Sequence, residues 1–404
     1  MASGTSKGKI KVAWLSSFDV AYIKGNDVPI ISGSYPFVLA PWIGLSLDEF
    51  KKRTDVEIHV ISEQPKIIND VYFIEEGIHY HLVSNRVPFT KKAYPLFFKR
   101  ITGYYLLRYK VRRIIDTIDP DVVHMHGSDI DLAMCVLSLN LPVLLTPSTF
   151  MTHLAEYNDN RLNRYKAKRE QKILSRVNYF GIRAHFMKGV VGMINRNAEF
   201  YWHNYPIQKS TIKSNLTMQI FDIVFASRLN PNKGINDLLM ALEILKKERC
   251  RCFTLKIVGH ASDAERRHVL DFIRKLDLVE QVCYVGPTKT QRELFEHMAQ
   301  AKINVLPTYF DMIPGTILES MDIGVPVIAY AVGGIPDLNL GEEKVVLVNR
   351  GNVRQLALEI ETLIDSPEKR MNLANLSMIY MNKEMNNAKA IDDMISTYRS
   401  IINK

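Results

Sequence analysis

The sequence predicts an α/β protein of two domains, each built on a parallel sheet wrapped by helices. Three observations carry this expectation. The 404 residues exceed what one hydrophobic core comfortably holds. Short β-rich runs alternate with helical runs, an order that produces parallel sheets. The pattern then restarts: a polar stretch from Tyr205 to Asn215, containing Pro206, separates one series of strands from another that begins at Asp222. The expected segments are 1–205, 206–382 and a C-terminal helix within 383–404.

Composition narrows the function classes. Hydrophobic residues make up 47% and charged residues 24%, an ordinary globular balance. The cysteines Cys135, Cys250, Cys252 and Cys283 have neither zinc-site spacing nor an evident disulfide framework, so a reducing, cytoplasmic setting is expected. No apolar segment precedes the first strand, so no secretory signal is expected. The longest nearly apolar run, Leu132 to Leu145, contains Asn140 and Pro142 and is too short to span a bilayer. The net charge of +9 is unevenly placed: residues 1–205 hold 27 basic and 19 acidic side chains, which leaves the remainder almost balanced.

The elements follow in order. Lys9 to Ser16 reads as the opening strand, followed by a loop to about Ser34 that contains Gly25 and Gly33. A helix is expected from about Pro36 to Lys52 and a strand from Asp55 to Ser62. Lys91 to Arg113 has eight basic and no acidic residues, interleaved with Tyr94, Phe97, Phe98, Tyr104, Tyr105 and Tyr109. Such a helix suits the surface of an anionic bilayer, while a core-packing helix with solvated charges is the plainer alternative. The same charges would serve nucleic acid, but no RNA or DNA module accompanies them, so no nucleic-acid partner is expected. Asp121 to His126 is a buried strand that places His124 and His126 on one face, with His126 at the carboxyl end where ligands of open α/β sheets gather. A structural role for either histidine stays open. Pro142 to Thr146 is the next strand and leads to Ser148; Arg161 to Arg176 is a second basic helix. Arg183 ends the segment Tyr179 to Arg183, placed either to meet an acceptor phosphate or to form a surface ion pair.

In the second half, strand Asp222 to Ala226 runs into SRLNPNKG and a helix from Ile235 to Lys247. Arg228 and Lys233 flank a Pro-Asn turn, and two fixed cations can hold a diphosphate and stabilise it as a leaving group. Phe253 to Val258 and Val282 to Val285 are strands ended by Gly259 and Gly286; the backbone at Pro287 and Thr288 is a candidate base contact. The stretch Val305 to Leu338 organises the rest. A buried strand, Ile303 to Leu306, is followed by a polar loop ending at Ile313, a short helix opened by Pro314, and a second buried strand, Pro326 to Ala331. With Pro314 in the first turn, the amides of Gly315, Thr316 and Ile317 are expected as free donors at the positive end of the helix dipole. Asp311 and Glu319, eight residues apart, are acceptor-only groups suited to hydroxyl-rich ligands such as a ribose or a hexose.

This combination resembles the nucleotide-sugar site of the retaining glycosyltransferases of family 4 (glycosyl transferases group 1). It comprises an acid, seven residues, Glu-Ser-Met, a Gly-Val-Pro-Val-Ile strand and Gly-Gly-Ile-Pro-Asp. The resemblance implies the GT-B fold, two Rossmann-like doubly wound domains facing across a cleft. It implies a nucleoside-diphosphate sugar donor, UDP- or GDP-linked, and a glycan or lipid-linked acceptor held mainly by the basic first domain. The role would lie in cell-surface polysaccharide or glycoconjugate synthesis. On this resemblance Asp311 contacts the transferred sugar, Glu319 the nucleotide ribose, Arg228 and Lys233 the diphosphate, Gly33 the donor phosphates and His126 a sugar. Asp311 stands where the family usually has Glu, and Ser148 where many members have His near the sugar; His153 is an alternative at that place. No cofactor or metal is expected. The C-terminal helix, about Ala388 to Ile402, is expected to return to the first domain. The alternative activities are a nucleotide-sugar epimerase or a non-catalytic nucleotide-sugar-binding protein.

Overall fold

Strands such as Val122–His126 and Val327–Tyr330 are buried at every residue, which requires a sheet covered on both faces. A computed structural model describes residues 9–17, 41–64, 67–86, 96–157, 159–214 and 219–404. The chain divides into two units, 1–183 with 187–207 and 387–404, and 184–186 with 208–386. Each unit is a doubly wound, Rossmann-like α/β layer structure.

The first unit contains β1 (Ile10–Leu15), α1 (Pro41–Phe50), β2 (Val56–Gln64), β3 (Val71–Glu75), β4 (Ile78–Ser84), α2 (Leu96–Ile101), α3 (Tyr105–Ile118), β5 (Val122–His126), β6 (Val143–Thr146), α4 (Met151–Tyr157), α5 (Arg161–Leu174), β7 (Tyr179–Ile182), most of α6 (His185–Ile194) and β8 (Glu199–Trp202). Its sheet runs β3-β4-β2-β1-β5-β6-β7-β8. Pairing is parallel except for β3, which runs antiparallel to β4. The β3-β4 hairpin was not anticipated; Glu76 and Gly77 turn it with φ of 49° and 80°.

The basic stretch is also not one helix. Residues 91–95 lie outside the described residues, and Gly103 and Tyr104 take φ of 58° and 62°, which separates α2 from α3. The two basic residues in α2 differ in setting. Lys99 is nearly buried and pairs with Glu63 at 2.6 Å and Asp131 at 3.1 Å, so it belongs to an internal network and not to the charged surface. Arg169 of α5 joins the same network, pairing with Asp131 at 2.7 Å.

The C-terminal helix Asn387–Ile402 belongs to the first unit, where Ile391, Met394, Ile395, Tyr398 and Ile401 enter the core with Trp14, Ile43 and Val60. The helical spacing of these apolar residues gives the helix one buried face. Trp14 Nε1 donates to the Tyr398 hydroxyl at 2.8 Å, and His124 Nδ1 lies 2.6 Å from that hydroxyl, so the helix is tied to β1 and β5 by polar as well as apolar contacts. Among the described residues, no helix is long and apolar enough to cross a membrane.

The second unit contains β9 (Phe221–Ala226), α7 (Ile235–Arg249), β10 (Leu255–Val258), α8 (Asp263–Lys275), β11 (Val282–Gly286), α9 (Gln291–Ala299), β12 (Ala301–Leu306), α10 (Gly315–Ile323), β13 (Val327–Tyr330), β14 (Val345–Val348), α11 (Val353–Asp365) and α12 (Pro367–Glu384). The six strands are parallel in the order β11-β10-β9-β12-β13-β14. Succession runs outward from β9 through β10 and β11, then jumps back to β12 on the other side of β9. That reversal makes the space beyond the carboxyl ends of β9 and β12 the topological switch point.

Candidate functional site

The loops after β9 and β12 are bound together at this switch point. Asn230 accepts from the Asn232 amide at 2.8 Å, turning the chain after β9, and the Asn232 carbonyl then accepts from the Tyr309 amide at 2.8 Å. Gly234, at φ 75°, completes the turn; any Cβ there would overlap the Pro307 carbonyl, so glycine is what lets the two loops touch. Gly333, at φ 56°, plays the same part against the Asp311 carbonyl, and the Gly334 amide donates to the Met312 carbonyl at 2.6 Å. Ile313, 8% exposed, is wedged beneath this contact.

On that scaffold Lys233 Nζ meets Asp311 Oδ2 at 2.5 Å. The Thr308 hydroxyl donates to the same oxygen at 2.9 Å. Among the described residues nothing donates to Asp311 Oδ1. Arg228 is exposed and makes no ion pair among the described residues. Its charge is felt at Glu265, which is held below the ordinary carboxylate range by hydrogen bonds from the Ser262 hydroxyl and amide, with smaller help from His260 and Arg228. Gly259 crosses close to the Ser227 carbonyl and donates its amide to Gly286 at 2.8 Å, aligning the ends of β9, β10 and β11. Pro287 is exposed and Thr288 half-buried just beyond β11.

The opening of α10 differs from expectation in two respects. Pro314 is the N-cap residue, with φ −62° and ψ 131°, and not the first helical residue. Its carbonyl therefore already accepts from the Ile317 amide at 3.1 Å, so Ile317 is not a free donor. The amides of Gly315, exposed, and Thr316, half-buried, have no partner among the described residues and lie at the positive end of the helix. Asn304 donates to Ser320 at 2.6 Å in the core and fixes α10 over β12.

Glu319 sits one turn inside α10. Its Oε1 accepts from Gln291 Nε2 at 2.7 Å, and its Oε2 is buried without a hydrogen-bond partner. Burial pushes the carboxyl up to about 7, partly opposed by the Gln291 hydrogen bond. Leaving a buried oxygen unpaired costs about 1–3 kcal/mol, a cost that a ligand diol donating to Oε2 would relieve. Gln291 was not anticipated; its place one residue after the Thr290 cap of α9, itself opened by the β11 loop, is the signal that could have found it. Asp237, Tyr309 and Tyr330 form a further unanticipated group, both hydroxyls donating to Asp237 Oδ2 at 2.7 and 2.6 Å.

The remaining candidates lie in the first unit. His126 is 3% exposed and walled by Trp14, Trp42 and His124, with ring centroids 4.3, 5.3 and 3.8 Å away. Neither of its ring nitrogens has a partner among the described residues. Burial first, then the charge of His203, holds it well below the usual imidazole range. The rings of Trp42 and Tyr205 lie against it at 5.3 and 6.2 Å. His124 is structural, bridging Tyr398 and, at 2.8 Å, Thr146. Ser148 donates to Asp129 at 3.0 Å. Arg183 stacks over Tyr205 at 4.7 Å, and Tyr205 lies flat on Trp42 at 4.0 Å. Gly33 lies outside the described residues. The site that assembles is therefore the one in the second unit.

Residues 207–377 match the family model of glycosyl transferases group 1. The chain is 30% identical over 162 residues to a D-inositol 3-phosphate glycosyltransferase of Kineococcus radiotolerans, covering 37% of each. It is 24% identical over 181 residues to an uncharacterized glycosyltransferase of Haemophilus influenzae, covering 45% of this chain and 48% of that one. Thus the chain spans less than half the length of these curated relatives. Whole-chain likeness is seen in structures. Sucrose-phosphate synthase of Thermosynechococcus elongatus superposes with a TM-score of 0.75 at 15% identity, covering 98% of this chain and all of the other (100%). Anabaena HepE in complex with UDP and glucose gives 0.68 at 16% identity, covering 97% and 100%.

Proposed function

We propose that this protein is a retaining glycosyltransferase of family 4. It moves a sugar from a nucleoside-diphosphate donor, UDP- or GDP-linked, to a glycan or lipid-linked acceptor in cell-surface polysaccharide or glycoconjugate synthesis. The observation that carries the reading is the meeting of Lys233 with Asp311 at the switch point. On the same rim lie the open amides of Gly315 and Thr316 and the unpaired Glu319 Oε2. In this reading Lys233, Arg228 and the two amides bind the diphosphate and stabilise the charge it gains on leaving. Asp311 Oδ1 takes a hydroxyl of the transferred sugar, Glu319 takes the ribose diol, and the departing phosphate oxygen takes the acceptor's proton. No metal has a part in this scheme. Anabaena HepE was solved with UDP and glucose and with UDP-glucose, which supports a uridine donor for this chain.

The proposed setting is cytoplasmic, with the first unit resting on anionic membrane. Phe97, Phe98, Ile101, Tyr105 and Tyr109 are exposed on α2 and α3 among basic residues, which supports the reading. The experiment is a panel of UDP- and GDP-sugars with and without acceptors, reading nucleoside-diphosphate release and the anomeric configuration of the product by NMR. Transfer with retention is the expected result. Donor binding with neither hydrolysis nor transfer across the panel would overturn it, and a C2-epimerised donor formed without acceptor would replace it with the epimerase.

A further inference from the structure

The edge of the first sheet carries a group of side chains that sugar transfer does not use. On β2, Glu57 and His59 alternate onto one face. The register pairs His59 with His79 and Ile61 with His81 on β4, and His81 with Tyr72 on β3, so all five polar side chains share that face. Tyr72 and the three histidines line, with α3, a cavity of about 750 Å³ whose wall also includes Lys11, Asp70, Lys110 and Arg113. Lys11 is the second residue of β1 and Ile118 ends α3, so the cavity lies toward the amino ends of the strands, opposite His126.

We propose that Glu57, His59 and His79 form a binding site for a divalent transition-metal ion of the zinc type. One ligand atom from each lies within 4.8 Å of the others. The argument that separates this from an ordinary polar patch is the outer hydrogen bonding. His59 Nδ1 lies 3.1 Å from His81 Nε2, and His79 Nδ1 lies 2.9 Å from the Tyr72 hydroxyl. Metal-bound imidazoles engage a partner through the nitrogen that does not bind, which fixes ring orientation. Both rings have that arrangement already; among the described residues His79 Nε2 has no hydrogen-bond partner, while His59 Nε2 is engaged by Glu57. Glu57 Oε1 is 2.8 Å from His59 Nε2, a hydrogen bond that the ion would replace, opening the two atoms to the roughly 3.3 Å that tetrahedral bonds of about 2.0–2.1 Å require.

Two imidazoles and a carboxylate favour zinc, nickel or copper over magnesium or calcium, which prefer oxygen alone. Three protein ligands leave a fourth position for a water, a hydroxide or an anion; of the cations in the cavity wall Lys110 is paired with Asp70 at 2.8 Å, and Lys11 and Arg113 lie alongside. The ion would also link β2 to the β3-β4 hairpin at the sheet edge. It has no part in the donor chemistry argued above and stands or falls separately.

The test uses the full chain, stripped with chelator and titrated with zinc by calorimetry. One saturable ion per chain is expected, with binding at least tenfold weaker in His59→Gln/His79→Asn, about tenfold weaker in Tyr72→Phe, and unchanged in Cys250→Ser/Cys252→Ser. Absence of saturable binding, or full binding by a His59→Gln/His79→Asn chain with a native melting curve, overturns the proposal. If that double variant does not fold, the cobalt spectrum of the unmodified chain decides. Ligand-field bands without thiolate charge transfer support the site, and thiolate charge transfer overturns it.

Discussion

Replacing Glu319 by Gln tests the site through stability before any substrate is known. The carboxyl titrates near 7 in the folded chain against an ordinary 4.5, because it is enclosed in α10 with only Gln291 as donor. A folded-state value raised in this way stabilises the fold fully below the unfolded value, and that stability is lost as pH rises through the folded one. At about 1.4 kcal/mol per unit, the ionised carboxylate costs roughly 3 kcal/mol at pH 8, and most of that appears between pH 5 and pH 8. The amide cannot ionise, so Glu319→Gln escapes this loss. For a unit of this size, 1 kcal/mol moves the melting temperature by about 2–4 °C. The variant should therefore gain about 5–10 °C on the unmodified chain between pH 5 and pH 8, measured by scanning calorimetry. It should also transfer sugar more than tenfold more slowly, a barrier increase of about 1.4 kcal/mol. A melting difference that stays flat across that range would refute the enclosure of this carboxyl and the reasoning built on it.

Lys233→Ala should lower transfer more than tenfold, again about 1.4 kcal/mol or more, and near-normal rates would remove the cation from the mechanism. Tyr398→Ala should destabilise the first unit by about 3–5 kcal/mol through lost packing, whereas Tyr398→Phe should lose only about 1–3 kcal/mol with its hydrogen bonds to Trp14 and His124; denaturant unfolding separates the two. Charge reversal at Arg112 and Arg113 with Phe97→Ser should weaken sedimentation with anionic liposomes, and unchanged sedimentation would exclude the membrane role. Lys99 is left out of that set because its pairing with Glu63 and Asp131 makes its reversal a folding defect.

Much of the second unit was legible because its signals are local. Buried runs mark the strands, glycines mark the tight loops, and Lys233, Asp311 and Glu319 sit at the carboxyl ends where a doubly wound sheet must place its ligands. The sequence spacing could not show that Pro314 caps α10 from outside, since proline suits both positions and only the backbone angles distinguish them. The consequence, an Ile317 amide spent within the helix, was equally hidden. In the first unit what the sequence could not show is tertiary. His126 is legible as a strand-end histidine, but the burial beneath Trp42 and Tyr205 comes from residues distant in sequence. Lys99 looks like one charge among eight until Glu63 and Asp131 are brought to it. The β3-β4 hairpin has a short turn at Glu76 and Gly77, and its alternation of polar and apolar residues passes unnoticed between two stronger strands.

The most direct test is a crystal structure of the chain with the nucleoside diphosphate it binds best. The account predicts the diphosphate within hydrogen-bonding distance of Lys233 Nζ and of the Gly315 and Thr316 amides, with the ribose hydroxyls on Glu319 Oε2. A diphosphate bound away from the loops after β9 and β12, or a ribose that leaves Oε2 unpaired, would contradict it.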